Sequence, residues 1–140
     1  MWDMLTNMEP LEQEAGVLIF DENSEVNEVI FFEFGHYGVG FELNKKVKIA
    51  IRVKYPTVIG AYELTSLQRT EYLYKTLIKC EGFFIRRQNW KMLFDNHEEI
   101  ADQMAISIKR NYDTFKRPVA IVKNKEIEKL NQRADIDFVF

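Results

Sequence analysis

The sequence holds one cysteine, Cys80, and two histidines, His36 and His97, far apart in the chain. A lone thiol forms no internal disulfide, and a reducing compartment is the simple expectation. One Cys and two separated His are too few for an ordinary zinc site, so no metal centre is expected. No run of about 18 apolar residues occurs, which excludes a bilayer-spanning helix within these residues. The opening Met1-Trp2-Asp3-Met4 is acidic and lacks the basic start and apolar stretch of a signal peptide. GxxxxGK[ST], GxSxG, HExxH and GxGxxG are all missing. The glycine cluster Gly35-His36-Tyr37-Gly38-Val39-Gly40 sits in a strand-like context and opens no helix, which rules out a dinucleotide loop.

The least even absence is that of positive charge. No Lys or Arg precedes Lys45, whereas residues 1–44 hold ten acids: Asp3, Glu9, Glu12, Glu14, Asp21, Glu22, Glu25, Glu28, Glu33 and Glu42. All 19 Lys and Arg therefore fall in residues 45–140, beside the other 12 of the 22 acids. That distribution excludes a uniformly basic, nucleic-acid-coating surface. It predicts a dipolar domain whose acidic and basic faces meet complementary surfaces in a salt-sensitive way.

What is present suffices for one core. Of 140 residues, 46% are hydrophobic and 14% aromatic, the content of a single globular domain. Gly16–Phe20, Val29–Phe34 and Tyr37–Leu43 are apolar runs closed by turn residues. Val47, Ile49, Ile51 and Val53 alternate with Lys46, Lys48, Ala50, Arg52 and Lys54, a period-two strand with one buried face that ends at Pro56. Two more strands are expected over 69–78 and 82–86, divided by a turn at Lys79-Cys80-Glu81-Gly82.

The last third changes period. Residues 87–95 carry Trp90, Leu93 and Phe94 on one side of a helix. Asn96, with Glu99 three residues on, is read as the cap of the next helix. Its stripe is Ile100, Ala101, Met104, Ala105, Ile108, Tyr112 and Phe115. Pro118 marks a stop or a sharp break, a weaker helix follows over Lys125–Arg133, and 135–140 reads as a docking strand or frayed end. The expectation is an α+β protein, an antiparallel, jelly-roll-like β-roll followed by C-terminal helices. Residues 1–9 are assigned to a helical or linker segment. Residues 10–117 form the domain, with the roll at about 16–86 and helices at about 87–115, and 118–140 form a helix and tail.

Gly16-Val-Leu-Ile-Phe-Asp-Glu-Asn, Phe31-Phe-Glu-Phe-Gly35, Val39-Gly40, Ile59-Gly60 and Arg69-Thr70 stand in the order and spacing of one family. They resemble the cyclic nucleotide-binding domain over roughly residues 10–115. Asn23 takes the place of that family's turn glycine, and Asn tolerates a left-handed conformation. Val39–Lys46, Ile59–Tyr62, Tyr74-Lys75 and Cys80–Trp90 further resemble the C-terminal cytoplasmic domain of ciliate voltage-gated potassium or cation channels.

The resemblance implies a phosphate-binding cassette. In the family a short helix presents backbone N–H groups to a cyclic phosphate, an Arg pairs with it, and a Glu after the cassette glycine binds the ribose. Gly60 matches the glycine, and Arg69-Thr70 match the arginine and its neighbour. Ala61 stands where the Glu belongs and accepts no hydrogen bond. Glu63 substitutes only if the loop is rewound, and the cassette is one residue short. Gly60 also reads as an ordinary tight turn, and Arg69, beside Gln68 and Glu71, as a solvent-facing strand residue. In channel relatives that bind no nucleotide, a segment after the roll fills the pocket. Tyr112-Asp113-Thr114-Phe115 lies in that place, and Ile136–Phe140 is a second candidate plug. The first reads more simply as the end of an amphipathic helix.

The resulting expectation is a non-catalytic regulatory domain of a voltage-gated channel, on the cytoplasmic side of a plasma or ciliary membrane. Its partners are the rest of the channel and neighbouring subunits. It needs no cofactor and has weak or no affinity for cAMP or cGMP. One alternative is a working cAMP or cGMP sensor that uses Arg69; another is a soluble or ciliary interaction scaffold. No reaction is expected, because the acids are scattered and no nucleophile has a base nearby.

Overall fold

Two four-stranded antiparallel sheets face each other across the aromatic core, and helices pack against both. The structure, a computed structural model, describes residues 7–139, with side chains described to residue 132. The strands are β1 (Glu9–Gln13), β2 (Leu18–Phe20), β3 (Glu28–Phe34), β4 (Tyr37–Leu43), β5 (Lys46–Val53), β6 (Thr57–Ile59), β7 (Leu73–Thr76) and β8 (Cys80–Arg86). The helices are α1 (Ala61–Ser66), α2 (Arg87–Asn96), α3 (Glu98–Asp113) and α4 (Lys116–Val139). The sheet orders are β1-β8-β3-β6 and β2-β7-β4-β5. The α+β roll with C-terminal helices is the expected architecture. Val29, Ile30 and Ile85 of one sheet and Tyr37, Val39 and Phe41 of the other are almost wholly excluded from solvent. Phe20 meets Tyr74 edge-on at 6.3 Å, a favoured aromatic geometry.

Several elements differ from expectation. The sheets begin at Glu9, where β1 pairs with β8 in antiparallel register from Glu9↔Phe84 to Gln13↔Cys80. Arg86 clamps that end, its Nε and Nη2 donating to the two Glu9 carboxylate oxygens at 2.7 and 3.1 Å. The bidentate bond holds the Glu9 carboxyl below its usual range. The turn expected at Lys79–Gly82 is instead the start of β8. A Cβ on Gly82 would fall 1.8 Å from the Phe31 carbonyl, so this glycine serves a close strand approach. Residues 69–72, expected in a strand, precede β7 as loop.

In β5 the alternation does not place one face inside throughout. Val39 pairs with Ile51 but Gly40 with Ile49, so Ala50 is an extra residue in the ladder. Such a bulge reverses the facing of everything beyond it. Phe41 consequently pairs with Lys48, and Val47 is left 42% exposed. The α4 helix lies over this end, with Glu126 3.7 Å from Lys48 and the Lys123 ammonium 5.8 Å from the centre of the Phe41 ring.

The helix caps also shift. Asn96 closes α2, and His97 is the N-cap of α3, its carbonyl accepting from Ala101 at 2.8 Å. The break at Thr114-Phe115 precedes Pro118. Pro118 sits in the first turn of α4, where its missing N–H costs nothing, and the helix runs on to Val139 rather than yielding to a strand. Trp90 is core, as its place on the α2 stripe implies. Cys80 is fully buried, its thiol donating to the His36 carbonyl at 3.3 Å, and burial pushes its pKa up.

Candidate functional site

A cavity of about 350 Å3 opens where α1 meets α3. Its inner wall is the start of α1, with Tyr74 behind it from β7; its outer wall is one face of α3, ending in Tyr112 and then Phe115. The volume is in the range of small-molecule sites.

Gly60 sets the entry into α1. Its φ is +88°, and a Cβ there would lie 2.7 Å from the Glu28 carbonyl. Both the left-handed backbone and the close approach exclude a side chain. Its carbonyl accepts the first helical bond, from the Leu64 N–H at 3.1 Å. Ala61 follows, 3% exposed and with no acceptor to offer.

Glu63 is 2% exposed, and Tyr74 Oη donates to its Oε1 at 3.2 Å. Burial raises the pKa of the Glu63 carboxyl and drives that of the Tyr74 phenol far up. The helix therefore turns Glu63 into the protein rather than toward a ribose position by loop rewinding.

Arg69 and Thr70 do not line this cavity. The Arg69 guanidinium donates to the Asn23 carbonyl at 3.2 Å and lies 3.7 Å from Glu25, on a side chain 59% exposed. Thr70 is 3% exposed and fastens the turn between β2 and β3. Its hydroxyl donates to the Asp21 carbonyl at 2.5 Å and accepts from the Ser24 N–H at 3.0 Å. Its backbone N–H donates to Ser24 at 3.1 Å, and its carbonyl accepts from Asn23 at 2.7 Å. Asn23 has φ +55°, the left-handed conformation expected of it. The four cassette positions are thus divided: Gly60 and Ala61 on the cavity, Arg69 and Thr70 outside it.

The segment Tyr112–Phe115 divides in a similar way. Tyr112 stacks on Tyr62 with ring centres 3.9 Å apart and planes 15° apart, and Tyr72 lies 5.5 Å from it. Phe115 meets Tyr72 edge-on at 6.2 Å. Burial pushes the Tyr72 phenol up to about 12 and that of Tyr112 higher still. The Tyr112 hydroxyl is buried without a hydrogen-bond partner. Asp113 is half-buried between Lys116 at 3.1 Å and Lys109 at 3.5 Å, and the Lys116 hydrogen bond holds its carboxyl below the usual range. The Thr114 hydroxyl donates to the Asn111 carbonyl at 2.6 Å and finishes the helix. In the second candidate plug, residues 136–139 continue α4; their side chains and Phe140 lie outside the described residues.

The apolar stripe of α3 was legible, and Ile100, Met104 and Ile108 of it line the cavity, but the polar row beside it was missed. Gln103, Ser107 and Asn111 stand four residues apart, an uncharged polar row beside the apolar one, and all three line the cavity. Their spacing was readable as a helical line. Among the described residues no Lys or Arg lines the cavity, and Glu63 is its one carboxyl. No group of three metal-ligating side chains occurs among them, and no helix is long and apolar enough to cross a membrane.

The same architecture occurs in solved structures. A cyclic nucleotide-binding domain from Methylobacillus flagellatus superposes with a TM-score of 0.70 at 12% identity, over 87% of this chain and 70% of that one. The fold is that of cyclic nucleotide-binding domains. The CBD2 of PKAR, bound to Sp-2Cl-cAMPS, matches with a TM-score of 0.61 at 16% identity, over 84% of this chain and 73% of that one. The C-linker/CNBHD of zELK channels, crystallised in the presence of cAMP, matches with a TM-score of 0.64 at 16% identity. The match covers 77% of this chain and about half of that one, 54%. No family model matches the sequence, and neither does any curated protein.

Proposed function

We propose that the chain is a non-catalytic regulatory domain that keeps the cyclic nucleotide-binding fold while holding cyclic nucleotides weakly or not at all. The observation that carries this reading is the cavity's charge: a buried carboxyl and no cation among its described residues. A cyclic phosphate placed there keeps its full negative charge in a low-dielectric site and faces Glu63. Arg69 is engaged with Asn23 and Glu25 on the outside, and Ala61 leaves a ribose hydroxyl unpaired. Tyr112 and Phe115 act as a built-in plug that fills part of the pocket and leaves the cavity beside it, with α3 and α4 passing the state of that cavity to a partner.

The parent is a voltage-gated potassium or cation channel of the ciliate type, with this domain on the cytoplasmic side against neighbouring subunits. The likeness to the zELK domain supports that placement. Calorimetric titration with cAMP and cGMP tests the binding half. The expected dissociation constants are weaker than about 100 μM. Micromolar binding that disappears in Arg69→Ala would overturn the reading in favour of a working sensor. The coding sequence upstream tests the channel half, which fails if the reading frame encodes no membrane-spanning segments.

A further inference from the structure

The cavity has a chemistry of its own, and its occupant follows from that chemistry. We propose that it takes a small organic cation with an apolar or aromatic body, an arylalkylamine in its simplest form. The inference rests on the reading that no cyclic phosphate occupies this cavity.

Four observations converge. Glu63 on the wall is 2% exposed, and among the described residues no Lys or Arg pairs with it; its hydrogen-bond partner is the neutral Tyr74 phenol at 3.2 Å. A buried carboxylate without a counter-charge is unfavourable, and a ligand ammonium supplies that charge. Tyr62, Tyr74, Tyr112 and Phe115 surround the space, and aromatic faces attract cations. The Tyr112 hydroxyl, on a side chain only 5% exposed, is buried without a partner and can accept from an ammonium N–H. Finally, the exposed rim formed by Gln103, Ser107 and Asn111 is uncharged, so it hydrogen-bonds a polar ligand group without repelling a positive one.

The test uses the full chain, phenethylamine as the probe and N-acetylphenethylamine as its uncharged counterpart, in calorimetry at pH 7. Phenethylamine is expected to bind saturably, and acetylation to weaken it by about tenfold or more. Glu63→Gln is expected to cost a similar factor while leaving the circular dichroism spectrum unchanged. No saturable binding of phenethylamine at about 10 mM overturns the inference. Equal affinity for the two probes also overturns it, and that comparison needs only the unaltered chain. A parallel cAMP titration separates the two readings: Arg69-dependent cAMP binding refutes the proposed function, whereas silence from both cAMP and the amine refutes the amine site alone.

Discussion

Tyr112 can be tested by two substitutions with opposite expected signs. Its ring is 5% exposed and packs on Tyr62, Tyr72 and Phe115. Truncating a buried aromatic residue to Ala costs about 3–5 kcal/mol through lost transfer energy and the cavity left behind. The unpartnered hydroxyl works against this, since burying it costs about 1 kcal/mol or more that the Ala variant recovers. Tyr112→Ala is therefore expected to destabilise by about 2–4 kcal/mol net. Tyr112→Phe keeps the ring and removes the unsatisfied group, so it is expected to stabilise by about 1 kcal/mol. At this chain length 1 kcal/mol corresponds to about 4 °C, so the midpoints separate by about 12–20 °C. Urea and thermal unfolding followed by Trp fluorescence measure both, with an unchanged urea slope as the check on two-state behaviour. A Tyr112→Ala variant within about 0.5 kcal/mol of the parent would refute the plug, because a helix end merely resting on the roll costs that little. A Tyr112→Phe variant that loses stability would show that the hydroxyl has a partner.

Thr70→Val removes the hydroxyl that serves both the Asp21 carbonyl and the Ser24 N–H; a loss of about 2–4 kcal/mol in urea unfolding is expected, with no ligand present. Arg69→Ala touches a pair on the surface and is expected to change stability by less than about 0.5 kcal/mol in the same assay. Gly60→Ala places a Cβ 2.7 Å from the Glu28 carbonyl at positive φ, and a loss of soluble protein or a drop of about 2 kcal/mol or more is expected. Glu63 gives a pH signature. Its folded pKa is raised above the ordinary 4.5, so the native state binds more protons than the unfolded chain between 4.5 and the raised value. Stability from this group is complete below 4.5 and is lost as pH rises through the raised value. Glu63→Gln is expected to flatten that fall in a pH series of urea midpoints, and an unaltered slope refutes it.

The runs that became β3 and β4 were legible because apolar residues fill them and turn residues, Gly35 and Asn44-Lys45, close them. Asn23 was legible because, after glycine, Asn is the residue that best tolerates a left-handed turn position. Other features depend on partners distant in the chain. β1 sets Pro10 and Leu11 between Glu9 and Glu12, shows no period-two pattern of apolar residues, and becomes a strand through β8. Gly82 looks like a turn until Phe31 is seen against it. The extra residue Ala50 leaves no trace in a perfectly alternating segment. At the site, the resemblance pointed to Gly60 and Ala61 as cassette positions and to Tyr112 as part of a candidate plug, and all three border one cavity. It could not show that Arg69 leaves it, since that depends on a turn 46 residues away. Glu63 was legible only as a replacement for a missing glutamate, because its partner Tyr74 belongs to another strand.

The pairing of β1 with β8 sets how the domain responds to force. Glu9 and Arg86 lie at the same end of that antiparallel ladder, with the preceding chain leaving from one and α2 beginning at the other. Tension between the segment before Glu9 and the helices loads the Glu9–Arg86 bond first, then opens the ladder pair by pair toward Gln13 and Cys80. Peeling of this kind meets one rung at a time, whereas sliding the strands lengthwise would load all rungs together. A pull from upstream thus has a low-force path that strips β1 while β3, still bonded to β8 from Glu28 to Phe34, retains the roll.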